Sequence, residues 1–339
     1  MSGLNRLTDV PGVAVGHATD LTLGSGVTAV VFDQPAVASV AVLGGAPGGR
    51  DTDLLDPAMT VERVDAIVLS GGSAFGLDAA GGVQAVLRQA GRGLRVGGDT
   101  VVPIVPQAIL FDLLNGGDKA WGRVSPYWEM GYAAATAATG AAFALGSVGA
   151  GTGATTATVK GGLGSASTIA ATGHLVAALV AVNALGSPLL GDGPHFWAAP
   201  YEQAAEFGGL GWPSRVGPEH LALRVKGGGG TSTTIGVVVT DAALTKAQAK
   251  RLAVMAHGGL ARAVLPAHAA LDGDTMFAAG TGARALDDPA RDLTALGHAA
   301  TLAMARAVAI GVHAATALPV PSAQPAWRDR FPGPGHRKV

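Results

Sequence analysis

The chain has 339 residues, of which 48% are apolar and 14% are charged, which is enough to bury a sizeable core in one large domain or two smaller ones. The formal net charge of −1 argues against nucleic acid or an anionic membrane as the main partner. The absence of cysteine excludes disulfides, thiolate metal sites and a cysteine nucleophile. Apolar runs end before the roughly 18 residues that a membrane span needs, and no secretory signal is visible, so we expect a cytoplasmic protein.

Glycine-bounded, β-branched runs dominate the first part of the chain and predict buried strands at 27–32, 38–43 and 64–69. A glycine turn at 70–73 follows the third run, and a helix is predicted from Phe75 until Gly91 stops it. Residues 102–113 are predicted to be extended because two prolines oppose a helix. The alanine-rich stretch 127–145 is predicted to be helical.

The second part of the chain mixes strands and helices. Residues 146–183 predict paired strands joined by a glycine hairpin, and 186–230 predict a long surface loop with a short helix. A strand at 233–240 precedes a capping box, Thr245 with Gln248, which predicts a helix over 246–264. A tight turn within 270–279 enters another strand, 290–313 is a second amphipathic helix, and the tail is expected to be frayed. This order favours sheets covered by helices over a doubly wound parallel sheet.

Several glycine-rich and acidic motifs invite a nucleotide or metal interpretation that their spacing does not support. The turns at 44–49, 71–76 and 149–153 lack dinucleotide spacing, and Lys160 lacks a phosphate-loop context. Their backbone N–H groups could equally serve an oxyanion. Asp272-Gly273-Asp274 begins like a calcium loop but lacks the later ligands, so taken alone it is an ordinary turn. No metal and no cofactor are expected.

Four glycines, Gly227 to Gly230, precede four hydroxyl residues, Thr231 to Thr234, at the head of a predicted strand. Such a linker can deliver a threonine to the mouth of a buried strand. Branching at Cβ restricts the direction of the hydroxyl, and a free α-amine with a pKa near about 8 can accept its proton. Taken alone, however, a threonine in a strand is more often structural.

Six strings in a characteristic order extend over nearly the whole chain. They are LTDVPGVAVGHATD at 7–20, GGAPGGRDTDLLDP at 44–57, LSGGSAFGLDAAGGV at 69–83, GAGTGATTATVKGG at 149–162, STTIGVVVTDA at 232–242 and LDGDTMFA at 271–278. On these strings the sequence resembles the D-aminopeptidase/L-aminopeptidase-D-esterase (DmpA-like) family. That family includes β-aminopeptidases and 6-aminohexanoate-oligomer (nylon oligomer) hydrolases.

The resemblance implies a self-processing N-terminal-nucleophile hydrolase in a four-layer αββα sandwich. The chain would cut itself between Ser232 and Thr233 into fragments 1–232 and 233–339, which together form one catalytic domain. Thr233 would be the nucleophile for small peptide or amide substrates. The resemblance also implies that several αβ units assemble, and we expect a tetramer of them.

The same resemblance assigns roles to other residues. Lys160 matches a lysine near the nucleophile, Asn183 an oxyanion-binding asparagine, and Asp272 and Asp274 a carboxylate pair that orients the threonine. Three further residues are placed near the substrate or the oxyanion, namely Ser73, Phe75 and Phe111.

Three departures from the family pattern bear on these assignments. Ser232 stands where members often carry Asn or Gly, and with Thr231 it offers competing hydroxyls, so the cut position is open by one or two residues. Phe111 replaces a tyrosine of the nylon-oligomer hydrolases. The aspartate pair replaces the Ser and Glu of β-aminopeptidases, which favours the amide- and oligomer-hydrolase branch.

Two other functions stay open at this point. Ornithine acetyltransferases share the self-cleaving architecture and pass an acetyl group from threonine to an amine, although the strings at 44–57 and 69–83 do not resemble them. The other is a protein that never cleaves and binds a small anion in its glycine-rich turns. The amino-acid preference and the choice between terminal and internal cleavage are also open.

Overall fold

The computed structural model describes residues 3–227 and 232–332. The strands are β1 (Val13–Asp20), β2 (Ser25–Val42), β3 (Gly49–Arg50), β4 (Arg63–Ser70), β5 (Leu94–Gly97), β6 (Thr100–Val102), β7 (Gln107–Ile109), β8 (Gly162–Ile169), β9 (Leu175–Asn183), β10 (Thr233–Ala242) and β11 (Thr275–Arg284). The α-helices are α1 (Ala79–Gln89), α2 (Tyr127–Thr136), α3 (Lys246–Ala263), α4 (Pro289–Ala314) and α5 (Trp327–Arg330).

The main sheet has the strand order β3-β7-β4-β2-β11-β10-β9-β8, with β1 added along β2. The long strand β2 joins its two halves, because its first part pairs with β1 and β4 and its last part pairs with β11. The pairing register between β2 and β4 shifts between Val31 and Ala36. Such an irregularity bends a strand and increases its twist, which lets one strand serve two layers.

Three apolar clusters separate four layers. One lies between the β2 and β4 half of the sheet and helices α1 and α2, and another lies between strands β8 to β11 and helices α3 and α4. The third joins side chains from both halves of the sheet. Along β10, Val237 and Val239 face the central cluster and Val238 faces an outer one, as expected from the two-residue period of a strand. The architecture is therefore the αββα sandwich that the resemblance implied.

Several predicted elements are confirmed with small changes of boundary. The strand predicted at 64–69 is β4, the paired strands are β8 and β9, and the helices predicted over 246–264 and 290–313 are α3 and α4. The capping box is present, since Thr245 Oγ1 accepts from the Gln248 N–H and Gln248 Oε1 accepts from the Thr245 N–H.

Three predictions were wrong in part. The strands predicted at 27–32 and 38–43 are one strand, β2. The helix predicted over 127–145 ends at Thr136, because Thr139 leaves it to exchange two backbone hydrogen bonds with Val15 of β1. The tail was predicted to be frayed, but its described part, which ends at residue 332, packs against the rest of the protein. The Trp327 ring stacks on Phe196 with centroids 5.8 Å apart, and its Nε1–H donates to the Pro194 carbonyl.

Helix α4 is the one described helix long and apolar enough to cross a membrane, judged by length and composition. However, 78% of its most apolar window is buried inside the protein. It packs against α3, β8 and β9 in the outer cluster. We therefore interpret α4 as a core helix.

Candidate active site

The head of β10 meets the end of β9 in the interior of the sandwich. Thr233, the first residue of β10, pairs in antiparallel register with Asn183, the last residue of β9. On its other side β10 runs parallel to β11, which begins directly after the Asp272-Gly273-Asp274 turn. Thr233, Asn183 and both aspartates are buried, with at most 3% of each residue exposed. The fold therefore brings together residues as far apart in the chain as Asn183 and Asp274, which are 91 positions apart.

The carbonyl oxygen of the peptide bond between Ser232 and Thr233 accepts two hydrogen bonds. The Thr233 hydroxyl donates a hydrogen bond of 2.6 Å to the Ser232 carbonyl oxygen. The Gly273 N–H donates to the same oxygen at 2.8 Å. Backbone N–H groups placed in this way stabilise negative charge that develops on a carbonyl oxygen. This arrangement places a hydroxyl group next to a carbonyl group whose oxygen already accepts from a backbone N–H.

The two aspartates of the turn occupy different environments. Asp274 Oδ1 accepts from the Thr234 N–H, and its Oδ2 accepts from the backbone N–H and the ring Nδ1 of His268, all at 2.9 Å. Burial favours the neutral form of Asp274, but these hydrogen bonds outweigh it and hold its pKa below the ordinary value. Neither oxygen of Asp272 has a hydrogen-bond partner by distance and angle among the described residues. Burial, followed by the charge of Asp274, raises the pKa of Asp272 to about 8.

Both polar atoms of the Asn183 side chain take part in hydrogen bonds. Its Nδ2–H donates to the Phe111 carbonyl at 2.9 Å. Its Oδ1 accepts from the Thr155 N–H at 2.9 Å and from Lys226 Nζ at 3.0 Å. The amide that the resemblance assigns to an oxyanion therefore has a carbonyl as its partner in this state.

Two lysines lie close to the site. Lys160 Nζ donates to the carbonyl oxygens of Gly151 and Gly161, at 3.1 and 3.0 Å. Burial lowers the pKa of Lys160 to about 7, with Lys226 adding to the effect and Asp112 opposing it. Burial also lowers the pKa of Lys226 to about 7, against the pull of Asp272 and Asp112.

A cavity of about 340 Å³ adjoins Asn183. Phe111, Thr155 and Lys226, which all contact the Asn183 side chain, line part of it. The other described lining residues are Asp112, Leu114, Asn115, Thr156, Ala157, Gly227, Ser322 and Gln324. Its size lies at the lower end of the roughly 300 to 1,000 Å³ that is common for ligand pockets.

The remaining predicted residues lie in the turn after β4. Ser73 has a left-handed backbone with φ of 52° and its N–H donates to the Leu110 carbonyl, one residue before Phe111. Phe75 is half exposed and packs edge-on against Trp121. Among the described residues, no hydrogen bond joins Ser73 or Phe75 to Thr233 or to the aspartates. Phe111 is the third residue that was predicted near the substrate or the oxyanion. The structure does bring Phe111 to the site, because its carbonyl accepts from Asn183 Nδ2–H.

Sequence reasoning missed four residues of this site: Asp112, Lys226, His268 and Gly273. Asp112 is buried and accepts from the Ser25 hydroxyl and the Gly72 N–H. Two signals were available, since Asp112 follows the singled-out Phe111 and Gly273 stands between the two aspartates. Lys226 and His268 carried no such signal because their roles depend on contacts with Asn183 and Asp274.

Residues 228–231 lie outside the described part of the chain, and so does most of the predicted glycine linker. Within residues 3–227 and 232–332, no group of three or more His, Asp or Glu side chains could hold a metal ion. The site consists of hydroxyl, carboxyl, amide and amine groups, which suit acyl transfer through a hydroxyl nucleophile.

The sequence matches the family model of peptidase family S58 over residues 5–324. The chain therefore belongs to peptidase family S58, and it is a hydrolase that acts on peptide bonds.

Related sequences agree with this assignment. An uncharacterized aminopeptidase of Mycobacterium tuberculosis is 42% identical over 359 residues, covering 97% of this chain and 99% of the relative. An uncharacterized aminopeptidase of Mycobacterium leprae is 41% identical and covers 97% of this chain and 95% of the relative.

Solved structures show the same fold. A β-aminopeptidase from Burkholderia sp. superposes with a TM-score of 0.71 at 23% identity, covering 97% of this chain and 92% of that one. The L-aminopeptidase D-Ala-esterase/amidase from Ochrobactrum anthropi is described as a variant of the Ntn-hydrolase fold. It superposes with a TM-score of 0.69 at 20% identity, covering 97% of this chain and 93% of that one. At these identities the likeness concerns the fold alone.

Proposed function

We propose that the chain cuts itself between Ser232 and Thr233 and then acts as an N-terminal-threonine aminopeptidase or amidohydrolase. The observation that carries the proposal is the pair of hydrogen bonds on the Ser232 carbonyl oxygen. One comes from the Thr233 hydroxyl at 2.6 Å and the other from the Gly273 N–H at 2.8 Å. A nucleophile and an oxyanion donor are thus both in place at one peptide bond.

Self-cleavage would proceed by an N-to-O acyl shift. Thr233 Oγ1 forms a bond to the Ser232 carbonyl carbon, the C–N bond breaks, and the hydroxyl proton ends on the Thr233 nitrogen. Water then hydrolyses the ester, which leaves a carboxylate on Ser232 and a free hydroxyl and amine on Thr233. The Gly273 N–H stabilises the negative charge on the oxygen during both steps.

The unpartnered carboxyl of Asp272 fits the product of this reaction. A buried polar group without a partner costs about 1 to 3 kcal/mol, and a parallel bridge holds Asp272 beside Ser232. The new ammonium group of Thr233 would appear next to this carboxyl. The free amine can then take the proton of the Thr233 hydroxyl when a substrate is attacked. Lys160 and Asn183 would support this step in the roles that the resemblance gives them.

The names of the relatives and the cavity beside Asn183 support a proposal for the substrate class. The related sequences are named aminopeptidases, and a cavity of about 340 Å³ suits a short peptide or a small amide. We assign such compounds as substrates of the Thr233 site. A cytoplasmic location and an assembly of four αβ units belong to the same proposal.

The test is intact-mass spectrometry of the purified protein. We expect two species that correspond to residues 1–232 and 233–339. The Thr233→Ala variant should give a single species and no peptidase activity, because the nucleophile of both reactions is missing.

The matched control is Ser232→Ala, which removes a hydroxyl that has no hydrogen-bond partner among the described residues. This variant should still be cut at the same bond. An uncut wild-type protein that is active, or a Thr233→Ala protein that is still cut, would overturn the proposal.

A further inference from the structure

His268 makes an unusually complete contact with one oxygen of the carboxyl pair. Its backbone N–H and its ring Nδ1 both lie 2.9 Å from Asp274 Oδ2. The other oxygen of Asp274 is occupied by the Thr234 N–H, directly after the proposed nucleophile. The Asp274 side chain is 1% exposed and that of His268 is 21% exposed. His268 therefore lies between solvent and the buried carboxylate.

The backbone of His268 is arranged for this double contact. Its φ of 58° lies in the left-handed region, which costs a residue other than glycine about 1 kcal/mol. Histidine, like Asn and Asp, occurs there more often than most residues. The conformation directs the N–H and the side chain of one residue to one oxygen atom.

The charged and titratable groups around this contact come from three segments. Asp272 and Asp274 belong to the turn before β11, and Lys226, from the segment before the cut site, acts on Asp272. His257 of α3 faces the His268 ring edge to face, with ring centroids 4.8 Å apart. Burial lowers the pKa of His257 to about 4, so it is uncharged near neutral pH and its Nε2–H donates to the Ala41 carbonyl.

We propose that His268 is a positioning residue that keeps Asp274 ionised and thereby confines the single proton of the carboxyl pair to Asp272. Two adjacent buried carboxyl groups do not readily ionise together. The one with three hydrogen-bond donors holds the negative charge, and the one without partners holds the proton. This inference rests on the proposed function, because its consequence is the charge beside Thr233.

The expected consequence is a change in the pH dependence of self-cleavage. Without the His268 ring, the pKa of Asp274 rises toward its ordinary value and beyond it, because burial is then less opposed. Both carboxyl groups become protonated at a higher pH, and the turn beside Thr233 then loses the negative charge that Asp274 otherwise holds there. The acid limb of the rate profile should therefore move to higher pH.

The experiment uses full-length precursor made by short cell-free synthesis and then transferred to buffers from pH 3 to pH 9, a range that includes the lowered pKa of Asp274. Cleavage is followed by the appearance of two bands. His268→Ala should move the acid limb upward by about one pH unit, which is about a tenfold loss of rate on that limb. The rate at pH 9 should equal that of the wild type. His268→Asn, which keeps a donor and tolerates a left-handed backbone, should restore the profile.

Two outcomes would overturn the role of His268. One is a profile of His268→Ala that matches the wild type, and the other is a loss of rate that is equal at every pH. His298→Ala, which removes an exposed histidine of α4, is the control and should leave the profile unchanged.

If the wild-type chain is not cut at all, the proposed function fails. The role of His268 is then tested by measuring the melting temperature of the uncut protein. The His268 ring should then raise the melting temperature at pH 7, relative to His268→Ala. The difference should shrink as the pH falls through the lowered pKa of Asp274, because stability from a depressed carboxyl pKa is lost in that direction. A difference that is the same at every pH, or no difference, would contradict the proposal.

Discussion

At the scale of single residues, the site depends on how closely the Asp272-Gly273-Asp274 turn approaches Thr233. A Cβ atom on Gly273 would lie 2.6 Å from Thr233 Oγ1 and 2.8 Å from the Ala46 carbonyl oxygen. Glycine is therefore needed at this position for space, while its N–H supports the Ser232 carbonyl. In the proposed reaction, this acidic turn is therefore part of the reaction centre.

We expect Gly273→Ala to slow self-cleavage by at least about 100-fold, since loss of one oxyanion donor alone costs roughly that much. The added methyl group must displace Thr233 Oγ1 or the turn, and either movement separates the hydroxyl from the carbonyl. The measurement is the fraction of cut chain by intact mass after a fixed time.

Gly227→Ala is the matched control for this prediction, because a Cβ atom at Gly227 would meet nothing within 4 Å. It should be cut at the wild-type rate. Normal cleavage of Gly273→Ala would mean that the turn does not support the Ser232 carbonyl.

The identities of several site residues could be predicted from the sequence, whereas most of their contacts could not. The family resemblance singled out Thr233, Asn183 and both aspartates, and β-sheet pairing places them together. The partners of Lys160 and Asn183 could not be predicted, because carbonyl groups of Gly151, Gly161 and Phe111 carry no signal in the side-chain sequence. Any residue type has such a carbonyl, so only the folded backbone selects it.

At the scale of elements, helix α3 shows where local sequence is sufficient. Thr245 and Gln248 exchange backbone and side-chain hydrogen bonds at the first turn, as the capping box predicted. This interaction depends on residues three positions apart and needs no tertiary context.

We expect Thr245→Ala to lower the free energy of unfolding by about 1 kcal/mol and the melting temperature by about 2 °C. The reason is the loss of the acceptor for the Gln248 N–H. Self-cleavage should be unaffected, because the cut bond lies at the head of β10 (Thr233–Ala242) and Thr245 follows the other end of that strand.

Thermal unfolding followed by circular dichroism checks this value. Thr245→Ser keeps the hydroxyl group and should retain most of the stability. A Thr245→Ala protein that melts with the wild type would show that the cap contributes nothing in the folded protein.

Strand β2 and helix α2 show where local sequence is insufficient. Two apolar runs separated by Asp33, Gln34 and Pro35 form a single bent strand, because different neighbours pair with its two ends. Helix propensity extends past Thr136, yet Thr139 pairs with β1. Close packing of layers is another tertiary effect, since a Cβ on Gly164 of β8 would lie 1.8 Å from the Ala307 carbonyl oxygen of α4.

At the scale of the whole molecule, the proposed fragments 1–232 and 233–339 interlock within one sheet. Strand β10 of the second fragment lies between β9 of the first and β11, and β11 pairs in turn with β2 of the first. The central apolar cluster also contains side chains from both fragments. Cutting one peptide bond at the head of β10 removes none of these contacts.

We therefore expect the two fragments to elute together from a size-exclusion column in native buffer and to separate only under denaturing conditions. Burial of the shared core opposes dissociation, because apolar surface would otherwise be returned to water. Electrophoresis of the native peak should show both bands in equal molar amounts.

The uncut Thr233→Ala protein is the control and should elute at the same volume with one band. Separation of the wild-type fragments in native buffer would contradict the interlocked arrangement.

The sequence by itself determined strand β4, the strand pair β8 and β9, helices α3 and α4 with the cap of α3, and the order of family strings that predicts Thr233 as the nucleophile. These features depend on residues close together in the chain or on matched identities. Only the tertiary structure decided that β2 belongs to two layers, that the Gly273 N–H meets the Ser232 carbonyl, and that His268 holds Asp274. Each of these depends on distances between backbone atoms of separate segments, which the packing of the four layers sets.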